Sequence, residues 1–254
     1  GTSWIGMSEP DIPFAVSTLA NINGIPSVAD RLRQGVVNQQ FLARLLTHAG
    51  GFVAGPEFRT AAGEPSFDTS EVFYEGHSQG GIMGIIATAV STEWTKAVIG
   101  VPGIDYALLI PRSNNWQTYG PVIAGGYDRP VDGLLILALL QQQWDRAEGS
   151  GYARYLTGTT LPGTPEHQVI LQVALGDHQV TNVSAEIAAR TAGVPVRVPS
   201  LDDAGSGRAL PPFQMETVEA GDDATSLLVY WDAGTLPAPL GGVTSTALRH
   251  DPLC

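Results

Sequence analysis

Cysteine is almost missing from this sequence: its single copy, Cys254, is the last residue. No disulfide can close within the chain and no cysteine metal cluster can be built. Cys254 is left either as a free thiol or as a partner for a cysteine elsewhere. Lysine is equally scarce, with Lys96 alone. Thirteen Lys and Arg stand against 25 Asp and Glu, a formal net charge of −12. With no basic run, nucleic acid is not an expected partner, because binding phosphates needs clustered cations. Long hydrophobic runs are also lacking. The longest, Leu134 to Leu140, falls far short of the roughly 20 residues that cross a bilayer, so the chain is expected not to span a membrane. The start, Gly1-Thr2-Ser3-Trp4, has neither the basic residues nor the apolar stretch of a signal peptide. Beginning on Gly rather than Met, it reads as a processed or trimmed chain, so this lack does not argue for a cytoplasmic location. H-E-x-x-H and D-x-D-x-D-G patterns are absent. Gly125-Gly126 and Gly241-Gly242 lack the lysine of a phosphate loop. No metal and no cofactor is therefore expected.

What is present describes a globular α/β chain. Its 254 residues, 43% of them apolar, fit one large domain with a sizeable core. Residues 1–26, broken by Pro10, Pro13, Gly24 and Pro26, read as irregular. Ser27 reads as the cap of a helix running to about His48 and stopped by Gly50-Gly51. Residues 49–70 read as a loop. Strands are expected at 71–75, 97–101, 169–175 and 226–231, with helices at 82–90, 131–146 and 181–191. The near-continuous apolar run Ala97 to Val101 suits a parallel sheet covered on both faces. Residues 103–160 read as an insertion and 199–225 as a polar loop. The chain then divides into a core with the chemistry-bearing turn (1–102), a cap or lid (103–160) and a second core portion (161–254).

The chemistry sits at Gly76-His77-Ser78-Gln79-Gly80, a G-x-S-x-G pattern between an apolar strand and an apolar helix. That context is what the motif requires. A sharp strand-to-helix turn lifts the serine hydroxyl above the sheet. Glycines two residues to either side let backbone pass without a clash, and the helix N-terminus offers N–H groups to a developing oxyanion. Asp177 follows the strand 169–175 in Leu175-Gly176-Asp177-His178-Gln179-Val180. His250 lies beyond the last strand in Leu248-Arg249-His250-Asp251-Pro252.

The stretch Tyr74-Glu75-Gly76-His77-Ser78-Gln79-Gly80-Gly81 resembles the α/β-hydrolase family, in the G-x-S-Q-G-G form of esterases, lipases and thioesterases. Together with Val101-Pro102-Gly103 and Gly176-Asp177-His178-Gln179-Val180, it is similar to large secreted bacterial hydrolases. The resemblance covers residues 71–254. It implies an α/β-hydrolase fold, a mostly parallel sheet flanked by helices with a helical cap, and a secreted bacterial location. It implies a triad in the family's order: Ser78 as nucleophile, Asp177 as the acid that orients the imidazole, His250 as general base. The backbone N–H of Gln79 is one oxyanion donor. In the family this turn follows the fifth strand, whereas only 70 residues precede it here, and Thr2 to Ser8 look like the segment just after the fourth. The N-terminal strands and the second oxyanion donor are therefore expected from a separate N-terminal segment of the same precursor.

The expected activity is hydrolysis of a carboxylic ester, with a small-molecule or lipid-like substrate. Trp116, Tyr119, Leu134, Leu135, Leu137 and Trp144 would line an apolar pocket from the cap. Two alternatives stay open: a peptidase or amidase on the same triad, and a catalytically inactive binding module. Asp202, Asp203 and Asp232 are rival acids. His48, His77 and His167 read as structural, and Asn182-Val183-Ser184, a glycosylation triplet, is given no role. Asp177 has a plainer possible job, capping the helix after it.

Overall fold

The computed structural model describes residues 2–199 and 214–234. Six strands form one sheet: β1 (Tyr74–His77), β2 (Lys96–Gly100), β3 (Gln168–Ala174), β4 (Val196–Val198), β5 (Thr217–Glu219) and β6 (Leu227–Trp231). Every pairing is parallel, in the order β1-β2-β3-β6-β4-β5. The helices α1 (Ile12–Ala20), α2 (Ile25–Thr47), α3 (Gln79–Ala89), α4 (Tyr106–Arg112), α5 (Trp116–Gly126), α6 (Pro130–Trp144) and α7 (Asn182–Ala192) flank it. The α/β class expected from the sequence is therefore present. Parallel strands share a direction, so every turn leaving a strand's C-terminal end emerges at one edge of the sheet, and the chemistry gathers there.

Strand alternation explains the main core. Val169, Leu171 and Val173 of β3 and Leu228 and Tyr230 of β6 are all at most 3% exposed and face α7 through Ala185, Ala188 and Ala189. Alanines on that face of α7 let helix and sheet approach closely. The intervening residues face the other way, and there Ile170 is 38% and Trp231 52% exposed. The expectation of a sheet covered on both faces is thus corrected: among the described residues, one face is packed and the other keeps apolar side chains at the surface. A second core joins α2, α3, α4 and α6 through Leu32, Met83, Leu109, Leu140 and Trp144.

Other boundaries also need correction. Residues 12–20 are helical, not irregular, because Pro13 sits in the first turn of α1, where its missing N–H costs nothing. The same tolerance starts α2 at Ile25, with Pro26 in its first turn, two residues ahead of the expected cap at Ser27. The stretch 103–160 contains α4 and α5 as well as α6, with Pro111 and Pro121 inside the first two. In the stretch expected as loop, β5 is a three-residue strand, and β4 is an equally short strand just ahead of it.

The N-terminal segment is tied down by charge. Asp11, buried just ahead of α1, accepts from Gly6 N at 2.8 Å, from the Ser8 hydroxyl and from the Arg31 guanidinium of α2. The Ser8 hydroxyl bond, with the Gly6 amide and Arg31 adding to it, holds the Asp11 carboxyl down at about 2. Helix α1 is thereby anchored to α2, with consequences for the cavity described below.

Candidate active site

One residue separates β1 from α3. Ser78 has φ 55 and ψ −116, a region that costs a non-glycine residue on the order of 1–3 kcal/mol and persists only where its surroundings fix it. Here they do so from both sides. Ser78 N donates to Gly100 O on β2 at 3.1 Å, and Ile82 N donates to Ser78 O at 2.8 Å. The expected turn over Gly76 to Gly81 is therefore shorter than its glycines imply, since Gly76 lies in the strand and Gly80 and Gly81 in the helix. The glycines are needed for close approach. A β-carbon on Gly76 would lie 2.7 Å from Gly80 O, and one on Gly81 would overlap the Gly100 carbonyl. Tyr74 stacks on Trp94 with centroids 5.5 Å apart and donates to Gly80 O at 2.6 Å, bracing the turn from below.

Gln79 opens α3, so its backbone N–H belongs to the turn of amides that has no acceptor within the helix. This is the site expected of an oxyanion donor. Its side chain is fixed as well: Nε2 donates to the hydroxyl of Tyr106 at 3.1 Å. Tyr106 is buried against Trp144, ring centroids 4.9 Å apart. Beside it, Glu148 is fully buried. Its Oε1 accepts from Gln141 Nε2 at 2.7 Å and from Asp105 N at 3.2 Å, and burial pushes its carboxyl up to about 7. Glu148 thus joins α6 to the turn that starts α4.

Asp177 lies two strands from Ser78, on the loop leaving β3. Strands about 4.8 Å apart put the two loops roughly 10 Å apart, a gap that suits an intervening imidazole. Asp177 is 3% exposed, and its Oδ1 accepts from Gln179 N at 2.7 Å and Val180 N at 3.0 Å. It does not cap α7, whose N-cap is Thr181; it closes a tight turn ahead of that helix. The loop is held by Asn182, which accepts from Gly176 N at 2.9 Å and donates to Ala174 O at 2.6 Å. Ser184 is fully buried and exchanges two hydrogen bonds with the backbone of Ile104. The triplet given no role is thus structural: Asn182 braces the aspartate loop and is too buried to carry a glycan.

His250 lies outside the described residues, as do Asp202, Asp203 and Cys254. Strand β6 lies beside β3, and its C-terminal end is at the same edge of the sheet as Ser78 and Asp177. Asp232, just after β6, is exposed and accepts from Gly234 N at 2.8 Å. His77 packs its ring over Gly100, its Nε2 3.4 Å from Glu75. His48 is the C-cap of α2, and His167 is buried with Nε2 3.2 Å from Ser91 O, away from Ser78. Among the described residues no three of His, Cys, Asp and Glu gather in a group able to hold a metal.

Ser78 and Gln79 open on a cavity of about 280 Å³. Its walls are Leu19 and neighbours from α1, Val28 of α2, Ile82 of α3, Tyr106 and Leu109 of α4, and Tyr119 and Trp144 from the insertion. Of the six cap residues expected to line a pocket, Tyr119 and Trp144 do. Leu134 and Leu135 are 69% and 59% exposed, Leu137 is buried in the core, and Trp116 packs against that core without lining the cavity. The wall that sequence reading missed is α1, hidden by its prolines. No family model, no curated protein and no solved structure matches this chain.

Proposed function

We propose that this chain is the nucleophile-bearing part of an α/β-hydrolase and that it hydrolyses carboxylic esters through Ser78, His250 and Asp177. The observation that carries the reading is Ser78 itself: one strained residue between a parallel strand and a helix, opening on an uncharged cavity. A backbone that costs energy at a half-buried serine, on a strand-to-helix turn, supports a functional role for that serine. In this mechanism Ser78 Oγ bonds to the ester carbonyl carbon while its proton passes to His250. The oxyanion is held by the N–H of Gln79. The C–O bond to the alcohol then breaks, and His250 returns the proton to the leaving alkoxide. Water repeats the sequence on the acyl-enzyme, releasing the acid and restoring Ser78. Asp177 holds the imidazole and stabilises its charged form.

A fluorophosphonate probe tests this reading. It forms a stable adduct only with an activated serine, and the expected adduct is on Ser78 in the native chain and absent after unfolding. Equal labelling of native and urea-unfolded protein, or none, would overturn it.

The proposal has a second part. Strand β1 pairs with β2 alone among the described residues, and residues 2–70 contribute no strand. An open parallel edge next to a nucleophile invites pairing by another strand. A strand from a separate segment, completing the sheet beyond β1 and supplying the second oxyanion donor, fits that edge. Hydrogen exchange tests it: in the 254-residue chain alone, the amides of residues 74–77 that face away from β2 exchange as fast as those of exposed loops. Strong protection of every β1 amide in the chain alone contradicts it. No described helix is long and apolar enough to cross a membrane.

A further inference from the structure

We infer that the cavity beside Ser78 is an acyl-chain site, made for a linear, uncharged chain of roughly eight carbons, and that α1 forms the wall that sets this length. The inference rests on the serine-hydrolase reading and adds the substrate class to it. Its first support is the chemistry of the lining. Among the described residues that line the cavity there is no Asp, Glu, Lys, Arg or His. A charged group entering it would lose its hydration with no opposite charge in return. Ser113, Asn115 and Gln179 add uncharged polar groups to those of Ser78 and Gln79, and the apolar wall is packed tight, with Leu19, Val28 and Ile82 at most 5% exposed.

The second support is size. A volume of about 280 Å³ equals roughly nine waters at about 30 Å³ each, and a methylene group takes up about as much room as a water. The third is which half of the ester stays. Attack joins the acyl carbon to Ser78 Oγ, and the alcohol leaves with its proton. The portion still bonded through the second half-reaction is the acyl group, and a chamber walled by packed helices suits the portion that stays. Helix α1 forms one wall: Ala15 and Val16 line it, half-buried, and the Asp11–Arg31 ion pair holds that helix in place.

The test compares two ester series. In one, p-nitrophenol is constant and the acyl chain grows from two to twelve carbons. In the other, the acyl group is acetyl and the alcohol grows. The expected result is a rise in kcat/KM of roughly three- to fourfold per added acyl carbon, levelling off near eight carbons, with little dependence on alcohol length. Ala15→Trp fills the chamber and is expected to lower the ratio of eight-carbon to two-carbon rates at least tenfold. Val16→Trp serves the same purpose if the first variant does not fold, as judged by circular dichroism. A short ethyl fluorophosphonate is run alongside. Labelling of Ser78 together with a flat or falling acyl series, a preference that follows the alcohol instead, or an unchanged ratio in the tryptophan variant overturns the acyl-chain site and leaves the hydrolase reading standing. No labelling of Ser78 overturns both.

Discussion

Replacing Ser78 with alanine is expected to lower ester turnover by about 10³-fold or more, while circular dichroism and the thermal transition stay close to those of the parent. The two halves of this result have separate causes. The fold survives because what fixes residue 78 is backbone: its N–H bonds to Gly100 O and its carbonyl accepts from Ile82 N, and alanine keeps both. The side chain is half-buried and small, so its loss removes little packing. Activity falls because the hydroxyl is the only atom removed. A variant that keeps most of its activity shows that the strained turn serves something other than nucleophilic attack.

Asp177→Asn is expected to cost about 10³- to 10⁴-fold in kcat, on the scale seen when a triad acid loses its charge, with KM changed by only a few-fold. This substitution separates the two roles open to Asp177. Its Oδ1 closes the turn onto Gln179 N and Val180 N, and asparagine offers an oxygen in the same place, so the turn and the Asn182 brace behind it persist. What asparagine does not offer is the negative charge that orients and stabilises a protonated imidazole. If Asp177 only shapes the loop, the variant turns over at close to the parental rate. If it is the acid of a triad, the loss appears in kcat with the protein still folded. Because triad members act as a unit, Asp177→Asn and Ser78→Ala combined lose little more than Ser78→Ala alone.

How much of this was legible in the sequence depended on whether the signal was local. Strand β3 was readable within one residue because seven mostly apolar residues between turn signals have few other uses. The turn at Ser78 was readable because its glycines are a steric requirement carried in five consecutive letters, and Asp177 because a Gly–Asp pair ends that long strand. Helix α1 was not readable: Pro10 and Pro13 look like breakers, and only the structure shows that they fall where a helix start accepts them. Strands β4 and β5 are three residues each, too short for any periodicity to register. The Tyr106 link to Gln79 and the Glu148 network join residues 27 and 43 positions apart, pairings for which no local pattern exists. Asn182 was visible, but as a glycosylation triplet; what it does is decided by its burial, and burial is a property of the fold. That one face of the sheet is left uncovered by the described residues had no local signal either, since the apolar residues of β2 and β3 read as buried whichever way they point.

The central claim is that Ser78 is an activated nucleophile, and peptide mapping after fluorophosphonate treatment tests it most directly. Trypsin releases residues 60–96 as one peptide, between Arg59 and Lys96, and Ser78 is one of four serines in it, with Ser66, Ser70 and Ser91. Fragment masses assign the adduct among them. One adduct per chain is expected, on Ser78, formed by the native protein, lost on unfolding and strongly slowed by Asp177→Asn. No adduct on the native chain, or one spread over the other serines of that peptide, would contradict it.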